Sequence, residues 1–347
     1  MSLLDPVLDL FRGKAVTIPP MDGALRPNTA LDDGEVVTAA LAPDNLAMLN
    51  GAPIYSSHRE IRRIGHDHAV LETCPADVSA IAVGDDGTLA IGLDDGSLKL
   101  GGSMIEGFNC ITALALHGGK LYVTNGSDHF RPSQWVSDLM HRNSAGSLWE
   151  VDVTSGQRRK LAGGLAFANG IAVDAANQRL IVSESWRHRL SSVPTSGGGV
   201  TEVLGRLPAY PARIVARPGG FVLALFAPLN RLVEFVLQEP QYRADMMREI
   251  DSRYWIAPTL SPPDSFLEPL QNGGVRSMGV HKPWSPTRSY GLVATLDARL
   301  QPVASYHSRA NGRFHGVTSA MAVDGAILAA AKGGNHIIRV QAGEGTS

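Results

Sequence analysis

Apolar positions along this chain fall in short alternating runs, each ended by a turn rich in Gly, Asp or Asn. The runs come in pairs, and the pair recurs. Asp44–Met48 precedes Ala52–Tyr55, Ser79–Val83 precedes Thr88–Ile91, and Thr112–Leu116 precedes Lys120–Val123. Further along, Asn169–Val173 precedes Arg179–Val182, Ala212–Ala216 precedes Gly220–Leu223, and Thr318–Val323 precedes Ala326–Ala329. Alternation of this period is the signature of half-buried strands. Six copies of one two-strand unit predict radial repetition, an all-β six-bladed propeller. Such a ring brings the first residue of every copy to one axis.

The rhythm extends to the outer strands. Glu60–Ile64 reads as the third strand of blade one, Gly146–Asp152 as that of blade three, and Arg189–Val193 with Val200–Leu204 completes blade four. Blade five begins at Ala212 and resumes at Tyr290–Leu296. Blade six ends near Val340 without an outer strand, so an N-terminal segment must supply it; Ala15–Ile18 is the expected donor. Closure of this kind removes sheet edges that would otherwise pair with other chains. Two long insertions, 125–145 and 226–289, fall between the second and third strands of their blades and carry helical stretches at Pro132–His141 and Glu239–Trp255. The second strand returns to the face where the first began, so both insertions are expected to cap a central pocket. The reading is one domain over 1–347.

Composition sharpens this picture. Gly at 37, Pro at 21 and only 18% charged residues suit many strands joined by tight turns. A net charge of −2 without a basic block argues against nucleic acid as a partner. No apolar run is long enough to span a bilayer, and Met1–Pro6 lacks the pattern of a secretory leader, so a cytoplasmic location is expected. Cys74 and Cys110 fit buried thiols of a reducing compartment, with a pairing left open.

At blades three to five the match to a known family becomes specific. Gly146–Asp152, Gly164–Val173, Val182–Ser185 and Arg187–Arg189 resemble the strictosidine synthase-like proteins of the gluconolactonase, lactonase and paraoxonase group of six-bladed propellers. Pro211-Ala212-Arg213-Ile214 is similar to that family's Pro-Asp-Asn-Ile phrase, altered at two positions. The resemblance implies the propeller fold and an axial site for a small-molecule substrate.

The six first residues are Asp44, Ser79, Thr112, Asn169, Ala212 and Thr318. The family's calcium-dependent lactonases hold their metal with a Glu in blade one and Asn or Asp in blades three, four and five. In this chain Asp44 stands for the Glu and Asn169 matches, but Thr112 offers only a hydroxyl and Ala212 offers nothing. Calcium needs more oxygen and more charge than that. No cofactor is therefore expected; a calcium, if bound, would rest on Asp44 and Asn169. Arg213 follows the missing acid. If it faces the axis, its guanidinium takes the cation's place and pairs with Asp44; if it faces the other side of its strand, it makes an ordinary ion pair between blades.

Strictosidine synthase itself uses a glutamate of blade six, and the Asp324-Gly325 turn carries that position onto Thr318, a poor proton acceptor. His315, just upstream, is the candidate substitute base, with a structural histidine as the alternative. His129 and Trp135 on the first insertion and Tyr210 before blade five are candidates for the pocket wall. The leading expectation is a metal-independent hydrolase of a lactone or ester. His315 or Asp44 would activate water, and Arg213 and Asn169 would steady the oxyanion. A strictosidine synthase-like condensing enzyme or lyase and a non-catalytic propeller that captures a small carboxylate remain the alternatives.

Overall fold

Each inner strand packs against the inner strand of the next blade, and the sixth returns to the first, so the ring is closed. The computed structural model describes residues 16–65, 69–265, 267–269, 276–277, 280–281 and 287–343. Six four-stranded antiparallel sheets radiate from the axis. Blade one runs Pro43–Leu49, Ala52–Ser57, Glu60–Arg63 and Val70–Thr73; blade two Val78–Val83, Leu89–Leu93, Leu98–Leu100 and Ser103–Ile105. Blade three runs Ile111–His117, Lys120–Asn125, Gly146–Asp152 and Arg158–Leu165; blade four Ala168–Asp174, Arg179–Glu184, Arg189–Pro194 and Thr201–Leu204. Blade five runs Ala209–Arg217, Gly220–Pro228, Gly291–Asp297 and Pro302–Ser308; blade six Val317–Val323, Ala326–Ala331 and His336–Gln341.

The core is divided as the ring is. Each junction between neighbouring blades has its own apolar cluster, for example Ile54, Ile61, Ile81 and Ile91 between blades one and two, and Leu46, Tyr55, Met321 and Leu328 between blades six and one. Alternation explains this. A strand standing radially sends its side chains left and right, so both sets are buried between sheets. Cys74 and Cys110 are free thiols buried in this framework. Burial, helped by Glu72, pushes the Cys74 thiol up to about 11, which makes it unreactive.

The outer strand of blade six comes from the N-terminal side, but not from Ala15–Ile18. Glu35–Ala39 pairs antiparallel with His336–Gln341. Val16–Ile18 form no strand, and Ala15 lies outside the described residues. The reason is what precedes the strand. Asn28 bonds the Ser305 carbonyl at 2.8 Å, Asp32 accepts from the Ser308 hydroxyl at 2.8 Å, and Leu31 is fully buried. This tether on blade five delivers Val36-Val37-Thr38, a β-branched run, to the open edge.

Among the described residues the insertions carry three α-helices: α1 (Trp135–Met140), α2 (Arg231–Gln238) and α3 (Pro240–Glu249). The helical stretch expected at Glu239–Trp255 begins earlier, because Asn230 caps α2 by accepting from Leu232 and Val233 and Pro240 then opens α3. Val233, Val236, Leu237 and Met246 seat these helices on blades five and six. α2 is also tied down by Glu234, which accepts from the Tyr210 hydroxyl at 2.8 Å. Burial pushes the Glu234 carboxyl up, against the opposing effects of Tyr210 and Arg142. Tyr210→Phe leaves that carboxyl buried without its donor. A loss of about 1 kcal/mol in chemical denaturation is expected, with the fold retained.

Candidate functional site

Every inner strand carries an irregularity near its start, at the same end of the ring. The register shifts between Asp44 and Ala47, Val78 and Ala80, Ile111 and Ala113, Ala168 and Gly170, Pro211 and Ile214, and Val317 and Ser319. A bulge leaves a residue unpaired and re-aims its side chain. The skipped residues include Ser79, Thr112, Asn169, Arg213 and Thr318, and together with Asp44 they line one axial cavity of about 300 Å³. In blade five both Ala212 and Arg213 are skipped, and Arg213 rather than Ala212 reaches the hub. Gly170 makes the approach of blade five possible, since a Cβ there would meet the Ala212 carbonyl and the Arg213 Cα.

The floor of the cavity is a charge cluster drawn from four blades. Asp44 is almost fully buried and lies 3.2 Å from Arg213 Nη1 and 3.0 Å from Lys332 Nζ. Its Oδ1 also accepts from the Thr318 hydroxyl at 2.7 Å and from the Asn45 amide at 2.8 Å. Burial by itself would raise this carboxyl; Arg213, Lys332 and the Thr318 hydroxyl outweigh it and bring the pKa from 3.8 down to about 2. Arg213 extends across the hub, donating to the Ser79 carbonyl at 2.7 Å and to the Thr318 carbonyl at 3.4 Å. Two polar atoms here have no partner among the described residues: the buried Ser79 hydroxyl and Arg213 Nε. Asn169 lines the same cavity and makes no side-chain hydrogen bond with the described residues.

Walls and roof are apolar. Phe167, Phe226, Trp135, Leu260, Val78 and Pro132 surround the cavity. Trp135 meets Phe226 edge-on with centroids 5.3 Å apart, and Phe167 stacks on Trp186 at 4.6 Å. Both insertions therefore contribute: Pro132, Ser133 and Trp135 from the first, Phe226 and Leu260 from the second. Leu260 seats against Gly333, where a Cβ would collide with the Leu260 carbonyl. Asp77 and Asp94 stand at the rim. Both Asp94 oxygens are engaged by Ser133, from its amide at 2.7 Å and its hydroxyl at 2.8 Å. Asp77 is half exposed, with His58 at 3.7 Å and Arg59 at 3.9 Å.

The candidates separate clearly. Asp44, Ser79, Thr112, Asn169, Arg213, Thr318 and Trp135 line the cavity. The Thr112 hydroxyl is committed, donating to the Ala168 carbonyl. His315 is not among the lining residues. It is fully buried, with Nε2 donating to the Arg309 carbonyl at 2.8 Å and Nδ1 accepting from the Ser289 hydroxyl at 2.7 Å. A carbonyl cannot donate, so Nε2 carries a proton, and burial lowers the ring's pKa against the opposing effects of the Arg309 carbonyl and Asp32. This is the structural alternative for His315, a clamp between blades five and six. Tyr210 sits behind the wall against α2, and His129 is exposed on the first insertion away from the cavity. Lys332, Asp94, Phe226 and Phe167 are lining residues that the repeat pattern did not single out. Lys332 and Asp94 each directly follow a second strand, which ends on the same face as the first strand begins, so a second circle of positions was there to be read.

The calcium that a resemblance to lactonases implies does not fit this floor. A calcium site needs several oxygens with net negative charge, whereas here one carboxylate is already flanked by two cations. No group of three or more His, Cys, Asp or Glu that could hold a metal occurs among the described residues.

Residues 113–196 match the model of the strictosidine synthase family. The chain is a six-bladed propeller that resembles the strictosidine synthase-like proteins. Its similarity to protein STRICTOSIDINE SYNTHASE-LIKE 6 of Arabidopsis thaliana is 24% identity over 223 residues, 64% of this chain and 52% of that one. Adipocyte plasma membrane-associated protein of Salmo salar is 25% identical over 193 residues, 51% of this chain and 42% of that protein. The chain thus spans about half the length of these curated relatives. Among solved structures, a calcium-binding regucalcin from Agrobacterium tumefaciens superposes with a TM-score of 0.53 at 14% identity, covering 88% of this chain and 92% of that one. A gluconolactonase from Xanthomonas campestris does so with a TM-score of 0.53 at 10% identity, covering 88% of this chain and 87% of its own. At such identities the likeness concerns the fold of this chain and not its chemistry. No helix among the described residues is long and apolar enough to cross a membrane.

Proposed function

We propose that the axial cavity is the active site of a metal-independent hydrolase acting on a small lactone or ester. The observation that carries this reading is the floor: two cations held around one buried carboxylate, beneath apolar walls. The cluster has one positive charge to spare. A carbonyl oxygen entering from above meets the Lys332 ammonium, the unpartnered Ser79 hydroxyl and the Asn169 amide. As water adds to the carbonyl, negative charge develops on that oxygen, and donors fixed in advance in a water-poor cavity stabilise it. Asp44 is not the base in this scheme. A carboxyl held near 2 is a weak proton acceptor, and its task is to orient Arg213 and Lys332. The proton of the attacking water goes to Asp77, the lining carboxylate that the described residues leave without a hydrogen bond, and passes from it to the departing alkoxide as the adduct collapses and the C–O bond breaks.

Condensation of the strictosidine synthase type has less support, because Thr318 stands at the position of that enzyme's glutamate and its hydroxyl is already donated to Asp44. Turnover of a panel of lactones and aryl esters, with and without a chelator, is the test. Hydrolysis that survives chelation is expected, with Asp77→Asn reducing kcat by about a hundredfold. Absence of turnover across the panel, or activity lost to the chelator and restored by calcium, would overturn the proposal.

A further inference from the structure

We propose that this pocket selectively holds a monocarboxylate with an apolar body, its carboxylate resting on Lys332 and the Ser79 hydroxyl. The inference rests on the reading of the axial cavity as the site but not on hydrolysis taking place there. In a lactonase such a ligand is the ring-opened hydroxy acid, so the product would bind better than the neutral substrate and inhibit.

Asp44 balances only one of its two cationic neighbours. Arg213 is the more committed, crossing the hub to two carbonyls and with its side chain 14% exposed. Lys332 is the more open, with 36% of its side chain exposed and, among the described residues, a single acceptor, Asp44, for its three donor hydrogens. Ser79 is more than nine-tenths buried, lines the cavity and has no partner for its hydroxyl among the described residues. A buried donor without an acceptor costs free energy that a ligand oxygen relieves. A carboxylate supplies the missing charge and the missing acceptors together, whereas a dianion would overshoot the single surplus charge.

The rim acids do not reverse this preference. Asp94 spends its oxygens on Ser133, and Asp77 is 55% exposed, where solvent screens it from the floor. The wall decides the rest of the ligand. Phe167, Phe226, Trp135 and Leu260 offer contact area and no hydrogen bonds, so a polyhydroxylated body would lose its water without replacement.

Calorimetric titration of the purified chain with hydrocinnamate, its neutral amide hydrocinnamamide and the phenethylammonium cation tests the proposal without any variant. Hydrocinnamate is expected to bind at least roughly tenfold more tightly than the amide, and the cation to be rejected. Lys332→Gln should remove the preference for the anion over the amide; Lys332→Arg should keep it. Equal affinity for anion and amide, preference for the cation, or no binding of hydrocinnamate at millimolar concentration would overturn it. Selective binding without any lactone or ester turnover sinks the hydrolase reading and leaves this one standing. Turnover with equal binding of anion and amide does the reverse.

Discussion

Arg213→Met is expected to lower the stability of the chain by about 3 kcal/mol and to abolish ligand binding in the axial cavity. The guanidinium does three things at once: it neutralises Asp44 at 3.2 Å and satisfies carbonyls of blades two and six. Removing it leaves a buried carboxylate with Lys332 as its remaining cation and two carbonyls without this donor. Breaking a buried pair from one side typically costs about 3–5 kcal/mol, and the surviving lysine places this case at the low end. Asp44→Leu should be comparably harmful, because two cations then face each other without an anion. The double variant Asp44→Leu/Arg213→Met should recover about 2 kcal/mol relative to the sum of the single losses, since the unpaired charge that makes each costly is gone. Urea denaturation of the four proteins measures the coupling. Additive losses would mean that the two side chains act independently and that Arg213 is not the hub.

The blades were legible because radial strands bury both faces, so alternation and turn chemistry repeat with little noise. Gly146–Asp152 of blade three has the bounds read from the chain, and the inner strand of every blade begins within a few residues of its expected start. The ring of first residues was legible for the same reason. Its occupant in blade five was not, because aligned copies put Ala212 at the hub, whereas the register shift that skips both Ala212 and Arg213 hands the place to Arg213. Strand periodicity alone assigns a residue to one of two sides; it does not report where the pairing slips. Blade-six closure illustrates a second limit. Any short apolar strand upstream could complete the sheet by pattern, and only the tether of Asn28 and Asp32 to blade five selects Glu35–Ala39 over Ala15–Ile18. His315 illustrates a third. An imidazole near a ring position has the right chemistry for a base, but burial against Ser289 and the Arg309 carbonyl is a tertiary fact with no local signature.

One consequence of these environments is an acid-labile ring, expected to lose stability in two stages. His307 is fully buried and neutral, bonded to Tyr290 at 3.1 Å and Ser305 at 2.8 Å, and burial lowers its pKa from 6.5 to about 4. His188 is lowered to about 4 by the same cause. When the chain unfolds, these imidazoles regain their ordinary affinity for protons. Between pH 6.5 and 4 the unfolded state therefore binds more protons than the folded state, and stability falls as pH falls. For His307 the shift corresponds to roughly 3 kcal/mol, fully present above its unfolded pKa and lost by the time the folded pKa is reached. The second stage belongs to Asp44. Its folded pKa of about 2 lies below the 3.8 of an unperturbed aspartate, so its contribution, roughly 2 kcal/mol, holds above pH 4 and drains away toward pH 2. Protonated Asp44 also releases Arg213 and Lys332, so the ligand site fails in this second window even where blades survive. Stability measured from pH 8 to 3 should decline before carboxylates titrate, and His307→Gln should make the first decline shallower, leaving the part that His188 contributes, without altering the second. A curve that is level down to pH 4.5 would refute the buried, neutral state of His307 on which the argument turns.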